Sequence, residues 1–189
     1  MKSVFTGAFA IVSVFVVSAC ETTSSRPYKA STENIMAMQQ TLGSSGVAVS
    51  VGEFSAAEGV DIEPTCRALG ALEIAPGKTP VEYIRSAFQD ELFAAGVIDS
   101  AAPAITGVLE QLEFNSFGTG SWDVTLKLAS DAYPEGFSVT NSYEFKTSFS
   151  ALKACQNVID AFQPTVSGLI AEAVAHPEFS NLAPTPAGS

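Results

Sequence analysis

The chain has 189 residues, and its 9 Lys and Arg against 20 Asp and Glu give a formal net charge of −11. This acidic balance argues against nucleic acid and against anionic lipid headgroups as the main partner. Hydrophobic residues make up 47% of the chain, which is sufficient for one compact domain with its own core.

The first residues have the pattern of a bacterial export signal. Lys2 supplies a positive charge, and residues 4–17 form an uncharged run rich in Val, Phe and Ala. The run is short for a permanent membrane span, and small residues follow it directly. We therefore predict a signal peptide over residues 1–19.

The end of this segment resembles a bacterial lipobox. The sequence Val17-Ser18-Ala19-Cys20 has small residues before a cysteine that, in lipoproteins, receives a diacylglyceryl group and becomes the mature N-terminus. The resemblance implies lipidation of Cys20, with palmitate-type chains that anchor stably when there are two or more. Glu21, where Asp would favour the inner membrane, implies the periplasmic face of the outer membrane. The alternative is an ordinary secretory signal with a chance cysteine.

The two remaining cysteines suit an oxidising compartment. Cys66 and Cys155 are an even pair once Cys20 is acylated, and we predict that they form one periplasmic disulfide. The alternative is two separate buried thiols. A metal site is not expected, because the chain has one histidine and no close Cys/His spacing.

Polar and flexible sequence surrounds a central domain. Residues 20–46 are predicted to be the lipidated N-terminus and a flexible tether, spanning on the order of 25–30 Å, with one or two helical turns near Met38 and Leu42. Residues 47–182 are predicted to be the periplasmic domain. Residues 183–189, rich in Pro, Ala, Gly and Ser, are predicted to be a disordered tail.

Hydrophobic periodicity predicts the elements of that domain. Alternation predicts strands at 47–51, 104–114, 122–128 and 137–146, with a short extra strand at 72–75 and a bulge at Gly107. The aromatic residues of the last strand are assigned to the helix side of the sheet.

Two helices complete the pattern. Thr79-Pro80-Val81-Glu82 predicts a capped helix start, with Gly96 as the stop. The second helix begins after Ser150 and ends before Pro177, and Pro164 must either kink it or start another helix. The order predicts an α+β fold, a two-layer β-α-β-β-β-α domain with helices packed on one face of a mainly antiparallel sheet.

This layout resembles small bacterial envelope lipoproteins. The resemblance rests on the lipobox, the tether, the helix ending Glu91-Leu92-Phe93-Ala94-Ala95-Gly96, and the strand Ile105-Thr106-Gly107-Val108-Leu109. YajG-type lipoproteins, the lipopolysaccharide-assembly lipoprotein LptE and the auxiliary lipoproteins of lipid-trafficking ABC transporters are similar in order and shape. Two internal cysteines and the acidity depart from LptE, so lipopolysaccharide binding is not carried over.

Three short motifs have the residue types of catalytic or phosphate sites. Ser150-Ala151-Leu152-Lys153 matches S-x-x-K, but its companion motifs are missing, and we interpret Ser150 as a helix cap. Gly77-Lys78-Thr79 lacks the glycine that a phosphate loop needs five residues earlier, where Leu72 stands. His176 is interpreted as a cation at a helix end, and Trp122 as a core residue.

These features predict a non-enzymatic, lipid-anchored periplasmic binding or accessory protein of the envelope, with an envelope protein as its partner and no cofactor. A sheet edge or helix face would bind the partner, with the polar row Ser138, Thr140 and Ser142 as one candidate surface. The alternative is a carrier that holds a lipid or small apolar ligand. That carrier would need an internal cavity lined by residues such as Phe88, Phe145 and Phe162.

Overall fold

The computed structural model describes residues 27–184. The helices and strands in chain order are α1 (Thr32–Thr41), β1 (Ser50–Ala56), α2 (Pro80–Ala94), β2 (Ala104–Asn115), β3 (Thr119–Ser130), β4 (Phe137–Lys146) and α3 (Ala151–Ala175). Short 3-10 helices follow α1 at Gly43–Ser45 and α3 at Phe179–Leu182.

The four strands form one sheet in the order β1-β2-β3-β4, with β1 parallel to β2 and the other neighbours antiparallel. In β3, Trp122, Val124, Leu126 and Leu128 are buried and alternate with half-buried residues. One face of the sheet therefore packs on the helices and the other faces solvent. The predicted α+β class is confirmed, with α1 added before the first strand.

Both predicted helices form, and local sequence explains their ends. The Thr79 side chain accepts from the Glu82 N–H while the Glu82 carboxylate accepts from the Thr79 N–H, which completes the predicted capping box of α2. Gly96 follows α2 with a positive φ of 71°. Beyond Gly96 the chain enters β2, so α2 is the crossover that makes β1 and β2 parallel.

Pro164 lies inside α3, which runs unbroken over 25 residues, so the proline does not start a second helix. Side chains from the sheet bond helix carbonyls on both sides of the proline. Trp122 Nε1 donates to Val158 O at 2.8 Å, and Asn141 Nδ2 donates to Thr165 O at 2.8 Å. These tertiary contacts help hold a helix that contains a proline.

The predicted tether over residues 20–46 ends earlier than expected. α1 is a ten-residue helix, and Met38 and Leu42 are 0% and 1% exposed within the core. The difference arises because these two residues, four positions apart, share one helix face that can be buried. The packed domain therefore includes residues from Tyr28 onward, and residues 20–26 lie outside the described part of the chain.

Three smaller predictions are corrected. The first strand lies at Ser50–Ala56 rather than 47–51, and no strand forms at 72–75, where isolated bridges join Thr65 to Ala71 and Ala75 to Lys78. β2 has a register shift against β3 between Leu109 and Gln111, and a shift against β1 that ends at the Phe54–Gly107 pair, where the extra residue lies on β1 and not at Gly107.

The tail prediction is tested only at its start. Ala183 is buried, because Leu182 and the preceding 3-10 helix return to the core. Residues 185–189 lie outside the described range.

Candidate functional site: the end of the sheet around Arg67

The disulfide fixes one end of the domain. Cys66 and Cys155 are bonded, with S–S 2.00 Å and Cα atoms 5.8 Å apart, which confirms the predicted pairing. Both residues are buried, at 1% and 6% exposure. The bond attaches the long β1–α2 connection to the N-terminal turns of α3.

Arg67, next to this disulfide, joins two further loops. Its guanidinium donates to Ser148 O at 3.2 Å, to Phe149 O at 3.4 Å and to the carbonyl of Ser116, while Nε donates to Ser116 Oγ at 3.3 Å. Arg67 has a positive φ of 51°, the only such value among the non-glycine residues described. A single arginine therefore holds the β2–β3 turn against the β4–α3 loop.

Four large apolar side chains are exposed around Arg67, and we call them the apolar end: Leu69, Phe117, Phe149 and Leu152. Phe149 is fully exposed and Phe117 is 65% exposed, with the Arg67 guanidinium 4.4 Å from the Phe117 ring centre. Only seven large hydrophobic residues are exposed in the described part of the chain, so more than half of them lie here. Between Phe117 and Phe149 lies a recess of about 400 Å³.

The local charge at this end differs from that of the whole chain. The segments that build it, 64–72, 114–121 and 145–159, contain Arg67, Lys146 and Lys153 and no Asp or Glu. Acidic residues stand directly beside these segments, and one of them, Glu144, lines the same surface as Lys146 and Thr147. The apolar end therefore carries more basic than acidic side chains on its segments, in contrast to the chain as a whole.

The two edges of the sheet are treated differently. Arg85 of α2 donates to Gly52 O at 2.7 Å and to Val51 O at 3.3 Å, which occupies carbonyls of the edge strand β1. The opposite edge, the ten-residue β4, pairs only with β3 in the described structure. Tyr143 of β4 pairs with Trp122 and therefore lies on the helix side of the sheet, as predicted, but its side chain is 37% exposed. β4 extends well beyond the buried Phe137 and Val139.

The polar row on β4 is exposed, as predicted, and is bonded across the sheet. Ser138 Oγ donates to Glu110 at 2.8 Å, Ser142 Oγ donates to Asp123 at 2.6 Å, and the Thr140 hydroxyl lies 2.9 Å from that of Thr125. Each of these three hydroxyls therefore has a hydrogen-bond partner on another strand of the same solvated face. The row has no unpartnered hydroxyl that would indicate a bound ligand.

A buried carboxyl group, which sequence analysis did not single out, holds the N-terminal segment. Glu91 is 0% exposed, and its Oε1 accepts from the Tyr28 hydroxyl, from Ser31 N at 3.0 Å and from Asn34 Nδ2 at 3.2 Å. Its Oε2 has no hydrogen-bond partner within residues 27–184. Burial raises the pKa of the Glu91 carboxyl.

The sequence contains a signal for this buried carboxyl. Glu91 lies seven residues after Ile84 and three after Phe88, so it falls on the apolar face of α2. A charged residue at such a position must find partners when the face is buried.

The catalytic-type motifs do not form a common site. The Ser150 hydroxyl accepts from the Lys153 N–H at 3.5 Å, which confirms Ser150 as the N-cap of α3. His176 is at the other end of the same helix, roughly 39 Å away by helix rise, with its ring stacked on Phe137 at 4.1 Å. Thr79 caps α2, and Lys78 Nζ donates to Ser86 Oγ at 3.1 Å.

The residues predicted to line a carrier cavity pack against other side chains. Phe162 lies 5.0 Å from Trp122 and 5.4 Å from Tyr83 between ring centres, and Trp122 is buried as predicted. Phe88 is fully buried, 6.1 Å from the Phe54 ring. Phe145 is half-buried, with its ring lying over Gly120. These contacts fill the space that the ligand would need.

Neither a metal cluster nor a membrane-spanning helix is found in the described residues. Within residues 27–184, no three His, Cys, Asp or Glu side chains are grouped so as to hold a metal ion. In the same range, none of the helices has both the length and the hydropathy required to cross a bilayer. Cys20, the predicted lipidation site, lies outside this range.

Comparisons with known proteins leave the function open. No protein-family model matches the chain, and no curated protein matches it. One similar solved structure is a Xanthomonas campestris protein of the DUF330 family, with 12% identity and a TM-score of 0.47. The alignment covers 68% of this chain and 84% of that protein. A similarity this distant carries no functional assignment.

Proposed function

We propose that this chain is a non-enzymatic, lipid-anchored binding or accessory protein of the bacterial envelope. It is held by Cys20 at the periplasmic face of the outer membrane and serves a transport or outer-membrane assembly complex. This is the role that the resemblance to small envelope lipoproteins implies. The geometry adds a specific surface for the partner.

The observation that carries the proposal is the asymmetry of the sheet edges. Both β1 and β4 have a strand on one side only within the described chain, but Arg85 bonds two carbonyls of the seven-residue β1, whereas Asn157 bonds one, Lys146 O at 2.8 Å, at the end of the ten-residue β4. An open edge offers backbone N–H and C=O groups to a strand of another protein. We therefore assign the β4 edge, with Tyr143 on it, as the partner-binding surface.

The lipid anchor strengthens such an interaction without adding contacts. An anchored domain meets an envelope partner at a high effective concentration, so an edge of modest affinity is sufficient. The alternative role as a lipid carrier has less support, because Phe88 and Phe162 are packed against other aromatic rings. We include in the proposal that the chain is related to the YajG-type, LptE-like or ABC-transport auxiliary lipoproteins, which it resembles in layout.

Site-specific photocrosslinking tests the edge. A photoreactive phenylalanine derivative replaces Tyr143 in the acylated full-length protein, and cells are irradiated before the products are identified by mass spectrometry. Phe93 of α2, which is 72% exposed, receives the same substitution as the control. Both positions are exposed aromatic residues, so the replacement disturbs the fold little at either one.

The proposal predicts one protein adduct of constant mass at position 143 and not at position 93. Adducts of equal yield at both positions would show non-specific contact and would contradict the assignment. Lipid adducts without protein at position 143 would favour the carrier alternative.

A further inference from the structure

We propose that the apolar end inserts into the anionic surface of the same membrane that holds the lipid anchor. This inference rests on the proposed anchor at Cys20 and adds a second, non-covalent contact to it. The contact is made by Phe117, Phe149 and Leu152, with Lys146 and Lys153 facing the headgroups.

The exposed side chains of the apolar end are held outward. Phe117 and Phe149 belong to different loops, and Arg67 bonds backbone carbonyls of Ser116, Ser148 and Phe149 in both. The Cys66–Cys155 disulfide attaches the Arg67 loop to α3. Because the backbone is fixed in this way, neither phenylalanine reaches the core. Rigid, exposed apolar groups of this kind mark an interaction surface.

The charges at the apolar end differ from those of the whole chain. Arg67, Lys146 and Lys153 lie on the segments that form this end, and Glu144 lies beside Lys146 on the same surface, although the chain as a whole has 20 acidic residues against 9 basic ones. Net composition argued against anionic lipid, but composition does not show where the charges lie. An anionic surface attracts Lys and Arg within about a Debye length and repels the acidic remainder, which orients this end toward the bilayer.

The connection between Cys20 and the domain is short. Seven peptide links separate Cys20 from Pro27, and they span at most about 25 Å. The chain enters the domain beside Pro76 and Tyr83, and Gln163 of α3 bonds Lys29 O. Leu152 is eleven residues from Gln163 along α3, or roughly 17 Å. The anchor can therefore reach the bilayer directly below the apolar end.

A membrane explains all three features together. Aromatic and aliphatic side chains with nearby Lys and Arg are the residues that proteins place at the bilayer interface. A protein partner or a second copy of the chain would account for the exposed rings. Neither would require the basic residues and the short connection.

Fluorescence quenching by brominated lipid tests the contact. The acylated protein carrying Phe149→Trp is purified from membranes and reconstituted into vesicles of phosphatidylethanolamine and brominated phosphatidylglycerol. The matched control is Phe93→Trp. Phe93 lies near the C-terminal end of α2, from which the chain enters the start of β2, whereas the apolar end lies at the other end of β2, a strand roughly 36 Å long. The unaltered protein supplies the signal of the buried Trp122.

We expect the added signal of Phe149→Trp to move to shorter wavelength and to be quenched several-fold more than that of Phe93→Trp. A second variant, Lys146→Gln with Lys153→Gln in the Phe149→Trp background, tests the charge. It should lower the ratio of inserted to free apolar end on the order of 20- to 30-fold, at about five-fold per Lys.

Each result decides between alternatives. Equal quenching at the two positions in protein that floats with the vesicles would overturn the inference and leave the anchor intact. Protein that does not float would instead contradict the proposed anchor. Phe149→Trp shifted to shorter wavelength without quenching would mean that protein covers the apolar end, which also overturns the inference.

Discussion

Glu91 shows how one residue joins the N-terminal segment to the domain. It is the only charged residue buried in the described part of the chain, and its Oε1 accepts from three donors on the Tyr28–Asn34 segment. Burial also raises the pKa of Tyr83, which packs against Tyr28, to about 12. The docking site of the segment is therefore dry, and ionisation of the carboxyl there has a cost.

The pH dependence of unfolding follows from the direction of this shift. The folded-state pKa of Glu91 is raised above its ordinary value of 4.5, so the folded state prefers the protonated acid. This contribution to the free energy of unfolding is complete below pH 4.5 and is lost as pH rises through the raised pKa. Glu91→Gln keeps an oxygen acceptor and should reduce the fall in Tm between acidic and neutral pH, measured by circular dichroism.

Glu82→Gln is the matched control on the same helix. The pKa of Glu82 is lowered by hydrogen bonds from Thr79, so its contribution has the opposite sign and is lost as pH falls. An unchanged pH profile in Glu91→Gln, or the same change in both variants, would refute this role of the buried carboxyl.

Gly107 is a position where a close approach requires glycine. A Cβ atom there would lie 2.6 Å from the Phe54 ring, which is 8% exposed and crosses from β1 to β2. Gly107→Ala should therefore lower the free energy of unfolding by about 1–3 kcal/mol, measured by urea titration.

Two further variants isolate the cause. Gly43→Ala is the control, because its Cβ would meet Val97 at an ordinary 3.5 Å. In a double-mutant cycle, Phe54→Leu should recover part of the loss caused by Gly107→Ala. Additive losses in that cycle would mean that the ring contact is not the cause.

At the scale of the elements, the Cys66–Cys155 disulfide closes a loop with a sequence separation of 89. Chain entropy assigns a loop of this length on the order of 4 kcal/mol of stability. We expect Cys66→Ala with Cys155→Ala to lower Tm strongly and to remove the effect of a reductant on the melting curve. A reductant that leaves the Tm of the unaltered protein unchanged would contradict a stabilising bond.

The elements that local sequence specifies were predictable, and those that depend on distant contacts were not. Thr79 and Glu82 cap α2 by neighbours in sequence, and β3 alternates over its whole length. Local sequence does not distinguish α1 from a tether, because its core contacts, made through Met38 and Leu42, are with residues far along the chain. The apolar end was missed for the same reason, since Arg67, Phe117 and Phe149 meet only in the folded protein.

At the scale of the whole molecule, α1 makes the domain larger than the sequence predicted. Met38 and Leu42 are almost fully buried, and each contributes about 1.5–3 kcal/mol. A non-acylated chain that starts at residue 47 should therefore lose a large part of a typical stability of about 5–15 kcal/mol. Chains that start at residues 21 and 27 should unfold at the same temperature, measured by calorimetry. If the chain from residue 47 were as stable as the two longer chains, α1 would not be part of the folded domain, and the tether would extend to residue 46.

The open edge of the sheet and the apolar end lie next to each other in the molecule. The open edge β4 leads directly into the Thr147–Phe149 region of the apolar end, while β1 is covered by Arg85. A domain held at the bilayer through the apolar end would bring the Lys146 end of β4 close to the membrane, and the rest of that edge would extend away from it, where an envelope complex can meet it.

Affinity purification of the acylated protein from native membranes tests the central claim most directly. The unaltered protein, Tyr143→Lys and Phe93→Lys are crosslinked, recovered and quantified by mass spectrometry. The account predicts one envelope protein in stoichiometric amount with the unaltered protein and Phe93→Lys, and a large loss with Tyr143→Lys. Equal recovery of that protein with Tyr143→Lys, or recovery of lipid without a protein partner, would contradict it.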